Sequence, residues 1–192
     1  MKHLLALLAS LLLAAAPVGA DDGATLKAGV FEPARMAPAF TLQGSDGGEL
    51  DLARYRGKVV LLGFGFTSCT QVCPITLLTL AQARKQLGAQ ADELQVVYIT
   101  VDPERDDAAR MKQYLAAFDP GFVGGTGSAE ALAAVRKEYG IAAAKQAGPD
   151  GDYTHSSFIY LIDRAGRLRA LMPYGRPSED YVHDVRLLLA AP

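Results

Sequence analysis

The feature that most constrains the fold of this chain is a pair of thiols between a strand pattern and a helix pattern. Residues 58–66 form a nearly continuous apolar run, which is typical of a β-strand covered on both faces. Cys69 and Cys73, the only two cysteines, follow directly, and Pro74 then opens a run with helical apolar spacing. The sequence therefore predicts a strand, a turn that carries both thiols, and a helix. The spacing C-x-x-x-C is one residue longer than the redox C-x-x-C, which favours metal binding over disulfide exchange.

The first twenty residues have the pattern of a secretory signal peptide, which we assign to residues 1–20. Lys2 and His3 precede an apolar stretch over 4–16, which is shorter than the roughly 20 residues that a membrane helix needs. Small residues at 18–20 then provide a cleavage site. We expect an exported, periplasmic protein that is soluble after cleavage and has no membrane span in its mature chain. An uncleaved N-terminal anchor is the alternative.

The remaining chain has the size of one domain preceded by a short segment. We predict an N-terminal segment over 21–36 and a single folded domain over 37–192. The whole chain has 19 basic and 21 acidic residues, and the basic residues are scattered. Scattered charge without aromatic interleaving argues against a nucleic-acid partner. We expect a monomer.

Strand and helix patterns alternate along this domain. Glycine-containing turns predict hairpins over 39–52 and 157–172, and a second buried strand is predicted over 94–101. Helices are predicted over 74–87, from Asp102-Pro103-Glu104 to about residue 118, from a Ser128 cap to Tyr139, and after a Ser178 cap. Parallel strands joined by helices, with a closing hairpin and helix, indicate an α/β sandwich. This order is that of the thioredoxin-like fold, here with an N-terminal β-hairpin extension.

The two thiols can serve as metal ligands or form a disulfide. In a helical turn, residues i and i+4 have Cα atoms about 6 Å apart, a separation that a disulfide tolerates. The same separation lets two thiolates converge on one soft metal ion. The N–H groups at the start of the helix are expected to lower the pKa values of the thiols. A structural disulfide between Cys69 and Cys73 is the alternative.

His155 is a candidate third ligand. It lies directly before the strand of the closing hairpin, in the loop that faces the cysteine turn in thioredoxin-like folds and usually carries a cis-proline. Two thiolates and one imidazole suit one copper ion per chain, as Cu(I) or Cu(II), because structural zinc almost always has four ligands. His183 is predicted to be a surface residue. Met36, Met111 and Met172 are predicted to be core or surface side chains rather than ligands.

Five motifs occur in order between about residues 37 and 189. They are Thr67-Ser68-Cys69-x-x-x-Cys73-Pro74, Val101-Asp102-Pro103-Glu104-Arg105-Asp106, Tyr114 with Phe118-Asp119-Pro120, Gly124-Gly125-Thr126-Gly127, and His155-Ser156-Ser157 with Tyr160-Leu161-Ile162-Asp163. Together they resemble the Sco (SenC/PrrC) family of copper proteins. The resemblance implies a thioredoxin-like fold that binds copper through Cys69, Cys73 and His155. It also implies delivery of copper to the binuclear copper site of cytochrome c oxidase subunit II or to another acceptor, or reduction of the cysteines of that site.

The chain departs from the family pattern beside the expected ligands. The family often has Pro-Asp between its cysteines and an acid before its histidine, whereas this chain has Thr70-Gln71 and Thr154. Neutral residues at these positions are expected to change redox poise and partner docking while leaving the ligands in place.

A metallochaperone is the favoured interpretation, and three others stay open. A thiol–disulfide oxidoreductase would use the same cysteines, with Cys69 as the attacking thiol. A peroxiredoxin-type peroxidase would use Thr70 and Cys73, but its motif needs proline where Phe66 stands. A module that only traps copper would have no delivery partner.

Overall fold

The structure, a computed structural model, describes residues 25–147 and 153–191. The predicted signal peptide over 1–20 lies outside these residues. Four helices are described: α1 (Val72–Leu87), α2 (Ala108–Ala116), α3 (Ala129–Tyr139) and α4 (Ser178–Ala190). The strands of the described residues are β1 (Gly29–Met36), β2 (Thr41–Gly44), β3 (Glu49–Asp51), β4 (Val59–Gly65), β5 (Leu94–Thr100), β6 (Val123–Thr126), β7 (Ala143–Lys145), β8 (Tyr153–His155), β9 (Phe158–Ile162) and β10 (Arg167–Pro173).

An eight-stranded mixed sheet organises the described residues. Its strand order is β1-β10-β9-β4-β5-β6-β2-β3, and β7 and β8 form a separate two-stranded sheet. Strands β4, β5 and β6 run parallel, whereas β9 runs antiparallel to β4. All seven residues of β4 are buried, as expected for a central strand covered on both faces. The predicted α/β sandwich and its N-terminal hairpin, β2–β3, are therefore confirmed.

The segment before residue 37 contributes a strand that the sequence pattern did not predict. Strand β1 pairs antiparallel with β10 at one edge of the sheet, so residues 29–36 are continuous with the folded domain. Seven of its eight residues are exposed, which explains why no apolar alternation marks it. The backbone amides of Lys27 and Ala28 donate to the buried carboxylate of Asp184 in α4, which ties this segment to the domain.

The helix predicted from residue 103 begins later than expected. Helix α2 starts at Ala108, and Asp107 is its cap, accepting a hydrogen bond from the Arg110 amide. The prediction that Asp102 caps the helix is wrong, because the Asp102 carboxylate is buried and pairs with Arg105. Residues 102–106 form turns that lead to the helix instead.

The predicted Ser128 cap of α3 is confirmed, but the prediction that Ser178 caps α4 is wrong. Ser128 accepts a hydrogen bond from Ala131 at the start of α3, as predicted, and Gly140 ends that helix with a left-handed conformation. In α4, Pro177 occupies the cap position and Ser178 is the first helical residue. The Ser178 hydroxyl accepts a hydrogen bond from Gln86 of α1, so it joins two helices. Of the helices in residues 25–147 and 153–191, none has the length and apolar character to cross a membrane.

Candidate metal centre

The cysteine turn lies where β4 meets α1. Cys73 is the second residue of α1 and is fully buried, whereas Cys69 precedes the helix and is partly exposed. Both thiols are free. The Cys69 sulfur accepts a hydrogen bond from the Cys73 amide at 3.4 Å. Gln71 makes no side-chain capping bond, so this sulfur takes the place of a polar cap at the helix start.

His155 lies against the buried thiol, as predicted. Its Nε2 is 3.6 Å from the Cys73 sulfur, and its Nδ1 is 2.9 Å from the carbonyl oxygen of Ser156. A carbonyl only accepts, so Nδ1 carries the proton and Nε2 presents its lone pair to the thiol. Burial lowers the pKa of His155, although the bond to Ser156 opposes the shift. The imidazole is therefore neutral near pH 7, which is the form that binds a metal.

The Phe66 ring holds the imidazole at a defined angle. The two rings meet edge to face, with centroids 5.9 Å apart and planes at 81°. The Arg105 guanidinium lies over the Phe66 ring at 5.9 Å from its centroid. Arg105 in turn pairs with the buried Asp102 carboxylate. The motif that contains Asp102 thus supports the histidine through Phe66.

The buried thiol is harder to ionise than the sequence pattern predicts. Burial and a hydrogen bond to Cys69 raise the pKa of Cys73 to about 12, while Tyr98 and the Phe66 amide oppose the rise. The prediction that the start of the helix lowers the thiol pKa is wrong for Cys73, because desolvation of a charged sulfur outweighs the helix N–H groups. Cys73 is therefore a protonated thiol in the metal-free protein at neutral pH.

A second buried acid, Asp106, binds the start of the cysteine turn through hydrogen bonds. The Asp106 carboxylate accepts hydrogen bonds from the Thr67 amide at 2.9 Å, the Thr67 hydroxyl at 2.5 Å and the Thr100 hydroxyl at 2.6 Å. Arg110 donates to the Thr67 hydroxyl and to Ser68. Nothing in the sequence pattern alone gives Asp106 this role, because its partners are far from it along the chain. The sequence offered one indication of this role, which is that Asp106 ends the motif Val101-Asp102-Pro103-Glu104-Arg105-Asp106.

Cys69 and His155 line one cavity of about 360 Å³, together with Gln71 and Thr154. Within residues 25–147 and 153–191, no three His, Cys, Asp or Glu side chains already form a complete metal cluster. Cys73 and His155 are in contact, and the Cys69 sulfur lies beside them, where it accepts the hydrogen bond from the Cys73 amide. Gln71 and Thr154 are exposed at the mouth of the cavity.

The remaining candidates lie away from this cavity. His183 is half-buried on α4, where its Nδ1 is 2.9 Å from Asp184, so it is less exposed than a free surface histidine. Met111 and Met172 are core residues and Met36 is an exposed surface residue, as predicted.

The family model for SCO1/SenC matches residues 30–190. The chain belongs to the SCO1/SenC family. The mouse (Mus musculus) mitochondrial protein SCO2 homolog is 39% identical over 159 residues, which cover 79% of this chain and 62% of the mouse protein. The chain thus spans less than two thirds of the length of that relative.

Solved structures of the family share the fold. ScoI from Bradyrhizobium japonicum, with copper bound, is 36% identical with a TM-score of 0.72, covering 79% of this chain and 98% of that one. BsSco, a member of the Sco family of cytochrome c oxidase assembly proteins, is 24% identical with a TM-score of 0.68, covering 85% of this chain and 99% of that one. At that identity the second likeness shows the fold alone. The thioredoxin-like fold predicted from the sequence is confirmed.

Proposed function

We propose that this protein is a copper chaperone that holds one copper ion through Cys69, Cys73 and His155 and passes it to the binuclear copper site of cytochrome c oxidase. The observation that carries this proposal is the contact between the Cys73 sulfur and the unprotonated Nε2 of His155, with Cys69 on the same cavity. The copper-bound ScoI structure of the same family supports the choice of ion.

The donor set suits copper better than other ions of the cell. Two thiolates favour Cu(I), and an imidazole adds a ligand that Cu(II) also accepts. Zinc in structural sites takes four ligands, and among the described residues the cysteine turn and His155 offer three. A closed four-ligand cage would also oppose release, whereas an incomplete set leaves a position for a ligand of the acceptor.

The unequal exposure of the cysteines gives the transfer a direction. Cys73 is the buried member of the set, while Cys69 and His155 are both partly exposed on the cavity. An incoming thiolate of the acceptor can replace Cys69 or His155 before Cys73, because those two positions are reached from solvent. Gln71 and Thr154 flank this entrance without charge, so they leave the ligands intact and act on the approach of the partner.

A thiol–disulfide oxidoreductase is the second candidate, and the same unequal exposure favours it. The exposed Cys69 would attack a disulfide of the partner and form a mixed disulfide, releasing one partner thiolate. Cys73 would then lose its proton and attack Cys69, which releases the second partner thiolate and leaves a Cys69–Cys73 disulfide. The two electrons gained by the partner come from the two thiols. The raised pKa of Cys73 slows the second step, which is why we favour copper binding.

We also propose that residues 1–20 direct export and that the protein works as a monomer in the periplasm. Free thiols in an oxidising compartment are lost to disulfides unless a metal or a reductant protects them. Copper binding at the cysteine pair provides such protection.

Copper titration of the reduced protein tests the proposal. We expect one Cu(I) per chain, loss of tight binding in Cys69→Ser and Cys73→Ser, and a larger loss for Cu(II) than for Cu(I) in His155→Ala. His183→Ala is the matched control, since that histidine lies on α4 away from the cavity, and it should bind like the unchanged protein. Full Cu(II) retention in His155→Ala would remove that residue from the site.

A further inference from the structure

A second cavity, of about 200 Å³, adjoins the metal cavity. It lies between α1, β9 and the loop from β10 to α4, and the exposed side chains on its walls include Ile75, Phe158, Tyr174 and Arg176. We name it the α1 groove. His155 lines both this groove and the cavity that contains Cys69. A protein that approaches copper held at His155 therefore also meets the α1 groove.

Large apolar side chains are exposed along the α1 groove. Ile75 is 53% exposed, Tyr174 44% and Phe158 37%. They are three of the six large apolar side chains that are exposed among the described residues. Leu78, a fourth, lies one turn after Ile75 on the same outer face of α1. Single exposed apolar side chains are ordinary, but several around one cavity mark an interaction site.

The walls of the groove are held in place by the fold. On the α1 side, Val72, Thr76 and Thr79 recur at helical spacing, so one face of the helix forms this wall. On the opposite side, the Tyr174 amide donates a hydrogen bond to the Ser157 carbonyl at 3.1 Å, which joins the loop after β10 to the start of β9. The groove is therefore preformed, which lowers the entropic cost of binding a partner.

The size and charge of the groove indicate the chemistry of its occupant. An apolar cavity of about 150 Å³ takes up benzene, so this one can receive one aromatic or large aliphatic side chain. Among the described residues that line the groove, Arg176 carries the only permanent charge. Its Nη2 pairs with Asp180 at 2.6 Å, and the guanidinium has further N–H donors for a carboxylate. A pocket for one side chain is also far smaller than the interface of a stable dimer, and it suits a brief encounter.

We propose that the α1 groove is the docking site of the copper acceptor, and that it receives a segment with an apolar side chain for the cavity and a carboxylate for Arg176. The inference rests on the proposed copper chaperone function and names the surface that this function uses. An apolar anchor in a pocket beside His155 holds the ligands of the acceptor next to the copper while they replace those of this protein. Such anchors supply most of the binding energy of an interface, whereas charge acts mainly on the rate of association.

The variants Ile75→Ser and Tyr174→Ser test the proposal, and both change exposed side chains that the core does not need. The reduced protein loaded with one Cu(I) is mixed with the reduced, metal-free soluble domain of cytochrome c oxidase subunit II. Mass spectrometry of the two proteins over time gives the rate of copper transfer. Each variant should transfer copper about tenfold more slowly than the unchanged protein at low acceptor concentration, because an anchor contact is lost. Arg176→Gln should slow transfer at low salt and have little effect at high salt.

Met36→Ser is the matched control, because Met36 is 55% exposed but lies on β1 and does not line the groove. It should transfer copper like the unchanged protein. Transfer of Cu(I) to a small chelator, which has no surface to dock, should be equal in all of these proteins. Slower transfer to the chelator in Ile75→Ser and Tyr174→Ser would place their effect at the copper ligands and overturn the inference.

Equal rates of transfer to the subunit II domain in Ile75→Ser, Tyr174→Ser and Met36→Ser would also overturn it, and would leave the copper function standing. A change in the sedimentation of Ile75→Ser with unchanged transfer would assign the groove to a second copy of this chain instead. An unchanged protein that binds copper but does not pass it to the subunit II domain would overturn both the delivery role and this docking site.

Discussion

Asp106 is the residue whose loss should damage the site most without removing a ligand. Its fully buried carboxylate accepts three hydrogen bonds, two from Thr67 at the start of the cysteine turn and one from Thr100 at the end of β5. The turn has little apolar anchorage of its own, because residues 67–69 are only partly buried. We expect Asp106→Ala to destabilise the fold and to loosen the turn that presents Cys69.

The size of the effect follows from the groups left behind. Asp106→Ala leaves the Thr67 amide and the donor of the fully buried Thr100 hydroxyl without an acceptor, although Thr100 still accepts from the Asp102 amide, and each unsatisfied buried donor costs about 1–3 kcal/mol. The Thr67 hydroxyl retains its bond from Arg110 and loses less. The expected loss is about 3–5 kcal/mol in the free energy of unfolding. Asp106→Asn keeps one acceptor oxygen and should lose about half as much.

Urea unfolding of the reduced, metal-free protein measures this loss. The control is Asp107→Ala, which removes the neighbouring acid that caps α2 and should cost about 1 kcal/mol. Copper affinity, measured where Asp106→Ala is still folded, should fall in that variant and stay unchanged in the control. Equal unfolding costs for the two variants would refute the view that Asp106 anchors the turn.

Three further predictions concern protons and oxidation. The pKa of Cys73 is raised to about 12, so copper must displace a proton from this thiol when it binds. Cu(I) affinity should therefore rise at least tenfold per pH unit from about pH 6 to about pH 8. A Cu(I) affinity that does not change with pH would contradict this. The protein oxidised between Cys69 and Cys73 should take up no copper until it is reduced, and uptake by the oxidised form in a metal assay would place the ligands elsewhere. Burial opposes the shift, but hydrogen bonds from Arg167 and Arg169 lower the pKa of Asp163. Asp163 therefore stabilises the fold above its ordinary pKa, and this stability is lost as the pH falls through the lowered pKa. As the pH is lowered, the urea midpoint of Asp163→Asn should fall less than that of the unchanged protein. An equal fall in the two proteins would exclude a stabilising role for the Asp163 carboxylate.

The elements that could be predicted from the sequence are those whose pattern is local. Strand β4 appears as an apolar run because it is buried on both faces, and α3 is bounded by Ser128 and Gly140. Strand β1 could not be predicted, because its pairing with β10 is distant and its residues are exposed. The predicted start of α2 was wrong because aspartate is a common helix cap and both Asp102 and Asp107 could have capped this helix. Asp102 is buried in the folded protein, and this burial cannot be seen in the local sequence.

The candidate ligands could be selected from the sequence, but the residues that support them could not. Cys69, Cys73 and His155 are chemically distinctive side chains, and spacing and fold order place them at the same turn, where the structure finds them. Asp106 supports the cysteine turn through contacts with Thr67 and Thr100, and Thr67 is far from it along the chain. The pKa of Cys73 also depends on burial, which no local pattern specifies. The position of Cys73 at the start of a helix predicts a lowered pKa, whereas its burial raises the pKa.

X-ray absorption at the copper edge tests the central claim most directly, because it reports the ligand atoms themselves. For the reduced protein loaded with one Cu(I), the account predicts a first shell dominated by sulfur, from Cys69 and Cys73, with one nitrogen from the His155 Nε2. His155→Ala should lose the nitrogen and keep both sulfurs, while His183→Ala should match the unchanged protein. A first shell of nitrogen and oxygen without sulfur would contradict the claim that the cysteine turn holds the copper.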